Sequence, residues 1–288
     1  MNLSYTDEQN LLRDSVSKFC LSDYTFETRM KSVESEKGHN EEHWKLFAEL
    51  GWLAIPFAEE HGGLDGNDVD LSLMFEEFGK AIVVEPYLAN VVLGGGILKR
   101  SDLEDKAKYI EGIISGESQI SLANYEPTKG FNLGNVDCEI SSDGTVNGLK
   151  TTVLNAQNAN YFVVFGKHDK GHAFALVSRE AEGLGCTSYK TYDGFVSGDI
   201  KFENCKAEAV FSAENALEIL EETILDGLVC ISSEAVGAME KCYQLTIEYT
   251  KQREQFGQPL SKFQALQHRM VDMFMEAEFT KSFLLKVL

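Results

Sequence analysis

The chain of 288 residues is 43% hydrophobic, holds only 4 prolines and carries a formal charge of −20, with 46 acidic against 26 basic residues. That balance argues against a nucleic-acid partner, which requires a basic footprint, and leaves enough apolar sequence for two or three packed units. The longest apolar runs, Ala81 to Val84 and Tyr161 to Phe165, are far shorter than the roughly 20 residues that cross a bilayer, and the polar N-terminus fits neither a secretory signal nor a transit peptide, so no membrane partner and a cytoplasmic location are expected.

Residues 6 to 116 carry helical periodicity. Thr6 and Gln9 form a T-x-x-Q capping box ahead of Leu11, Leu12, Val16, Phe19 and Cys20. The turn-rich stretch GWLAIPFAEEHGGLDGN is accompanied by two apolar-periodic segments, 69–80 and 87–99. The triple glycine Gly94-Gly95-Gly96 lacks the strand before it and the lysine after it that phosphate-cradling loops need, so it marks a helix end or a point of close packing. A second box, Ser101 with Glu104, is expected to open a helix through Tyr109 and Ile113 that Gly116 closes.

From 118 to 212 the period changes to two, in SQISLANY, VDCEIS, GTVNGLKTTVL, NYFVVFG, HAFALVS and SGDIKFENC, divided by Gly, Asn and Asp turns. This is the pattern of an antiparallel sheet module of sandwich or barrel type. From 213 the helical period returns: Leu217, Leu220, Ile224, Leu228, Ile231, Ala235, Ala238, Cys242, Leu245 and Tyr249 form the expected core stripe of a long bundle helix. A second helix carries Leu260, Phe263, Leu266, Met270 and Met273 and runs to Leu288. Two helices cannot bury all their faces on each other, so the bundle is expected to be completed by another chain or by residues outside this sequence. The division is an N-terminal α-helical domain over 1–117, a middle β domain over 118–212 and an incomplete C-terminal helical bundle over 213–288, an α+β multidomain fold.

The six cysteines form no CxxC pair and are expected to act as small buried hydrophobes. His39/His43 and His168/His172 are each spaced four apart. A cap interrupts the first pair and a glycine turn the second, so surface positions are expected rather than a metal.

The stretch TKQREQFGQPLSKFQALQHRM, Thr250 to Met270, brings an arginine to the end of one helix and restarts a second near Ser261. A helix C-terminus repels anions, so the forked Arg253 guanidinium is the group that could grip a phosphate there, beside the free N–H groups of the next helix. The alternative is a solvated Arg253 with Gly257 as an ordinary C-cap.

The run EAVGAMEKCYQLTIEYTKQREQFGQPLSKFQALQHRMVDM, with R-x-x-F-G followed by F-Q-A-L-Q-H, resembles the acyl-CoA dehydrogenase family. The likeness extends over the whole chain, including LLRDSVSKF and LGWLAIPFAEEHGGLDGN, and GKAIVVEPYLANVVLGGGIL looks like the small subunit of pimeloyl-CoA-type dehydrogenases. The resemblance implies FAD as cofactor and an acyl-CoA thioester as substrate, desaturated at its α,β-bond. It implies a homo- or hetro-oligomer with another such subunit, and an electron-transfer flavoprotein as electron acceptor. It assigns the FAD diphosphate to Arg253 and Gln255, places Phe256 near the flavin and gives Gln264 a polar contact.

Two motifs of that family are altered. Where T-E-P-G-A-G-S-D is usual, this chain has Tyr125-Glu126-Pro127-Thr128-Lys129-Gly130-Phe131-Asn132, which puts Tyr125 at the flavin-touching position. Where W-I-T/S-N-G is usual, it has Thr152-Val153-Leu154-Asn155-Ala156, so Thr152 and Leu154 take the two flavin-facing positions, and a leucine cannot donate the hydroxyl's hydrogen bond. The catalytic base is unmatched: the position some members use on the long helix is Gly227, the arginine after it is Leu228, and Asp226 and Glu234 are the nearby carboxylates. A dehydrogenase subunit completed by parts absent from this sequence, and a non-catalytic partner that holds FAD phosphates in trans, both remain open.

Overall fold

The computed structural model describes residues 4–288. α1 (Asp7–Ser22) opens with the expected box: the Thr6 hydroxyl accepts from the Gln9 amide at 3.2 Å and the Gln9 side chain accepts from the Thr6 amide at 3.1 Å. After α2 (Phe26–Glu34), Asn40 caps α3 (Glu41–Glu49) by accepting from the Glu42 amide at 2.9 Å, and Trp44 and Phe47 are buried one turn apart. α4 (Asp68–Ala81) is buried along most of its length.

Segment 87–99 is helical, but Leu88–Gly94 winds as a π-helix before tightening into α5 (Gly95–Arg100). Fully buried Asn90 ties this turn to the sheet, its Oδ1 accepting from the Ile120 amide at 2.7 Å. The triple glycine is a close-packing point: a Cβ on Gly94 would lie 2.2 Å from the Ile120 carbonyl oxygen.

The Ser101 box does not form. α6 (Lys106–Ile114) starts two residues beyond Glu104, because the Ser101 hydroxyl turns back to donate to the Leu98 carbonyl at 2.8 Å and finishes the preceding helix instead. Gly116 ends the segment at φ 75°.

The middle region is an eight-stranded mixed sheet in the order β6-β7-β3-β2-β4-β5-β8, with β1 also paired to β4. The strands are β1 (Ile120–Ala123), β2 (Glu139–Ile140), β3 (Thr145–Leu154), β4 (Tyr161–His168), β5 (Gly171–Ser178), β6 (Leu184–Lys190), β7 (Val196–Lys206) and β8 (Ala209–Phe211). It departs from a purely antiparallel sheet in that β1 runs parallel to β4, Ile120 opposite Tyr161, and β2 meets β4 in parallel at Glu139 and Lys167. A strand that enters from a helix can pair in parallel without a hairpin, a geometry alternation alone does not report. Its inner face is filled by Val146, Phe162, Val164, Ile200, Phe202 and their neighbours.

β3 breaks register with β7 between Lys150 and Val153, where Thr152 takes φ 53°. Three cysteines, Cys138, Cys205 and Cys230, are buried as expected, while Cys20 and Cys186 are half-buried and Cys242 is exposed. His39 is buried rather than at the surface, and His43 sits 3.1 Å from the buried Glu85 carboxylate; burial holds the His39 ring below its ordinary pKa.

α7 (Ala216–Gln252) is a single helix of 37 residues. The chain divides into two compact units. One contains α1, the start of α2 to Arg29, α4, α7 from Leu228 onward and α8 (Gln264–Val287); the other contains α2 from Met30, α3, α5, α6, the eight-stranded sheet and α7 up to Gly227. In the first unit α4 and α7 meet backbone to backbone. A Cβ on Gly79 would fall 1.9 Å from the Glu234 carbonyl oxygen, and one on Gly237 would fall 1.9 Å from that of Glu76. The buried hydroxyls of Ser72 and Ser233 share a hydrogen bond of 2.8 Å at the same crossing.

The stripe from Leu217 to Tyr249, expected as core, turns much of its length outward: Leu228, Ile231, Leu245 and Tyr249 are 53%, 48%, 58% and 61% exposed. The buried face carries Thr223, Cys230, Ser233, Val236 and Gly237 in its place. Small side chains let helix axes approach closely, and a stripe of larger ones cannot occupy the same contact.

Candidate functional site

The corner between α7 and α8 is a small hairpin. α7 ends at Gln252, β9 (Glu254–Gln255) pairs antiparallel with β10 (Gln258–Pro259), and Phe256 and Gly257 form its two-residue turn at φ 55° and 78°. Positive φ at both central residues is the hairpin-compatible turn, so Gly257 serves the hairpin and is not the cap of α7. A bulky residue at positive φ is strained, and Phe256 is held there while 90% exposed, its ring edge-on to Phe263 with centroids 6.1 Å apart.

The Leu260 amide donates to the Arg253 carbonyl at 2.8 Å, which fixes the arginine's backbone, and its side chain projects into solvent. α8 starts at Gln264, three residues later than the Ser261 start expected, after a 3₁₀ turn over Leu260–Lys262. Its N-cap position is Phe263, which offers no side-chain acceptor; the Leu266 amide donates to the Phe263 carbonyl at 3.0 Å, which leaves the Gln264 and Ala265 amides for a ligand. Exposed Arg253, Gln255 and Gln264 flank this helix start in sequence and share its corner. An exposed guanidinium, two carboxamides and an uncapped helix N-terminus form a donor set suited to a diphosphate.

The other candidates lie in the unit that holds the sheet. Tyr125, 38% exposed, follows β1, and its carbonyl accepts from the Thr151 amide at 2.9 Å. The Thr152 amide donates to Asp199 at 3.1 Å, and Leu154 stands opposite Ser197 across β3 and β7. The structure thus brings Tyr125 to the Thr151–Thr152 bulge, with Leu154 two residues along the same strand.

Two buried polar groups here have no hydrogen-bond partner: Asn124 Nδ2, next to Tyr125, and Ser197 Oγ, opposite Leu154. Sequence reasoning missed both. An orphaned buried donor is costly unless something else satisfies it, so their placement fits a polar ligand at this edge of the sheet even though Leu154 has lost the hydroxyl.

Beneath Tyr125 lies a buried ion pair that was also missed, Lys150 Nζ to Glu126 Oε1 at 2.7 Å, with both side chains at most 4% exposed. Burial alone would raise the Glu126 carboxyl, but Lys150 and the amides of Asp137 and Cys138 outweigh it and hold the group below the usual carboxylate range. The available signal was a lysine at an inward position of the alternating pattern that contains Val146.

Of the two carboxylates near Gly227, Asp226 is committed to an ion pair. Asp226 is 9% exposed and bound by Arg100 Nη2 at 2.8 Å, with Lys99 Nζ at 3.8 Å. Glu234 lies at the α4 crossing, where its carbonyl oxygen approaches Gly79. At Gly227 itself, Leu93 packs within 3.0 Å of where a Cβ would be. Among the described residues there is no group of three metal-ligating side chains, and no helix is long and apolar enough to cross a membrane.

Comparison with known proteins gives a family model for the acyl-CoA dehydrogenase N-terminal domain over residues 6–117 and one for the acyl-CoA dehydrogenase C-terminal domain over residues 217–288. The chain is 29% identical to a probable acyl-CoA dehydrogenase, YngJ, of Bacillus subtilis (strain 168), over 99% of this chain and 80% of that protein. It superposes on the ChsE4–ChsE5 complex from Mycobacterium tuberculosis with a TM-score of 0.88 at 22% identity, covering 99% of this chain and 78% of that one. It matches PigA with FAD and proline with a TM-score of 0.90 at 23% identity, covering 99% and 79%. The two domain models, which together match more than half of the chain, establish that it belongs to the acyl-CoA dehydrogenase family of flavoprotein oxidoreductases.

Proposed function

We propose that this chain is a flavin-clamping subunit of an oligomeric acyl-CoA dehydrogenase, which forms the α,β-double bond of an acyl-CoA thioester with FAD as cofactor. The corner carries the reading: Arg253 is exposed beside an uncapped helix start, on a hairpin that holds Phe256 at φ 55°. Arg253, Gln255 and the α8 N-terminus would hold the FAD diphosphate, Gln264 would add a polar contact, and Phe256 would pack beside the cofactor. FAD, when bound, supplies the hydride acceptor for the substrate's β-hydrogen.

This chain contributes binding and orientation, and a partner subunit contributes the carboxylate that takes the α-proton. The paired state of Asp226 and the leucine packed at Gly227 support that division. So does the apolar outward face of α7, which calls for a covering subunit. The likeness to a two-protein complex, ChsE4–ChsE5, favours a second, different chain in that role. An electron-transfer flavoprotein would reoxidise the flavin.

The test is flavin stoichiometry by absorbance in the assembly co-expressed with its partner subunit. Loss of a charge-assisted, forked contact predicts that Arg253→Ala lowers FAD affinity by about tenfold or more. Unchanged stoichiometry after exhaustive dialysis would remove the clamp assignment.

A further inference from the structure

We infer that Lys150 is a positioning residue that presents Tyr125 at the cofactor-facing edge of the sheet; this rests on the reading of Tyr125 as a flavin contact. Where β1 ends, three consecutive residues are fastened to two consecutive residues of β3. Lys150 Nζ donates to the Asn124 carbonyl at 3.2 Å and to the Glu126 carboxylate at 2.7 Å, and between them the Thr151 amide donates to the Tyr125 carbonyl at 2.9 Å. Tyr125 is therefore gripped on both sides and through its own backbone, while its side chain remains 38% exposed.

The Glu126 carboxylate also closes the segment that follows. It accepts from the amide of Asp137 at 2.5 Å and from that of Cys138 at 2.9 Å, so one buried side chain joins the two ends of the span between Pro127 and Val136. The tip of that span is open, with Phe131 94% exposed; beyond the Glu126 closure it is held by the His172 ring, 3.0 Å from the Gly134 carbonyl, and by Lys129 against Asp137 at 2.6 Å.

The β3 bulge makes this arrangement possible. Between Lys150 and Val153 the ladder to β7 is interrupted, and the Thr152 amide is taken by Asp199. Thr151 is thereby free to pair with Tyr125, across the strand from the lysine that holds its neighbours. A lysine with no solvent exposure is expensive to bury, and a mere packing role would be filled better by a methionine or leucine. What the ammonium adds is direction: it fixes two particular oxygens, one on each side of Tyr125.

The experiment uses the co-expressed holo-assembly and measures two quantities: hydrogen exchange of peptides covering 125–138, and FAD affinity by flavin fluorescence. The variants are Lys150→Met, Glu126→Gln, Tyr125→Ala and the double variant Lys150→Met/Tyr125→Ala. Glu126→Gln preserves shape and remains informative if Lys150→Met fails to fold.

The expected result is exchange at least about tenfold faster across 125–138, with α7 and α8 protection unchanged, and FAD bound about tenfold more weakly. The double variant should bind FAD no more weakly than Tyr125→Ala alone, because a residue that acts through Tyr125 has nothing left to position. Unchanged exchange across 125–138, or additive losses of FAD affinity in the double variant, would overturn the proposal. Arg253→Ala is measured in parallel: if it leaves FAD affinity intact, the corner reading fails by itself while the exchange data still decide the role of Lys150.

Discussion

Where α7 crosses α4 its buried face is built around Ser233 and Gly237, with Val236 beside them; the opposite face carries leucine, isoleucine and tyrosine and is exposed. On the buried face, Gly237 and Ser233 let α7 approach α4 until a single added methyl would overlap a carbonyl oxygen at 1.9 Å. On the exposed face, Leu225, Leu228, Ile231, Leu245 and Tyr249 are 48% to 61% accessible. At the α4 crossing it is small size that permits burial, while Ile219 and Leu220 are buried nearer the start of the helix. Close approach gives a directional contact that only small residues permit, whereas large apolar residues supply area that another surface must cover to remove it from water.

The sharpest way to break the buried half of this comparison is Gly237→Ala. Alanine is the better helix former by about 1 kcal/mol, so propensity alone predicts stabilisation. The new Cβ meets the Glu76 carbonyl oxygen at 1.9 Å, however, and a backbone atom cannot rotate away. Prising the helices apart should cost about 3 kcal/mol, for a net loss of about 2 kcal/mol. Hydrogen exchange of α4 and α7 amides is the suitable readout, since both tryptophans, Trp44 and Trp52, lie in the other unit and report nothing on this crossing. Slower exchange in the variant would mean that propensity outweighs the contact.

Ser72→Ala acts on the same crossing more gently. It removes the 2.8 Å partner of Ser233 but leaves that hydroxyl a second contact, the Val229 carbonyl at 2.8 Å. No buried donor is orphaned, so the loss should be about 1 kcal/mol, again read by exchange of the two helices. A cost equal to that of Gly237→Ala would show that the hydrogen bond, and not close approach, dominates.

The contrast also marks how far the sequence could be read. The capping box at Thr6, the period-two region, the length of α7 and the spacing of Arg253 ahead of a second helix are local patterns, and local patterns survive into the structure. The two interleaved stripes of α7 share the helical period, and periodicity cannot tell which one is covered within this chain; that depends on α4, distant in sequence. The Ser101 box failed because a serine can finish one helix as easily as begin the next. The parallel pairing of β1 and the linkage of Lys150 to Glu126 are tertiary facts. Their only trace in the sequence is a lysine placed where the alternation points inward.

The exposed half of the comparison predicts the smallest change in fold stability and a large change in assembly. Ile231→Glu and Leu245→Glu place charges on accessible positions, so each should shift the stability of this chain by no more than about 0.5 kcal/mol. Exchange protection of α4 and α7 should therefore match that of the unmodified protein. If the outward stripe is what a neighbouring subunit covers, the same substitutions bury an unpaired carboxylate at the interface, and the cost there is several kcal/mol. Sedimentation should show the oligomer dissociating while the exchange pattern of α4 and α7 stays fixed. An oligomer that survives both substitutions intact would show that association uses another surface and that the outward stripe of α7 is simply solvated.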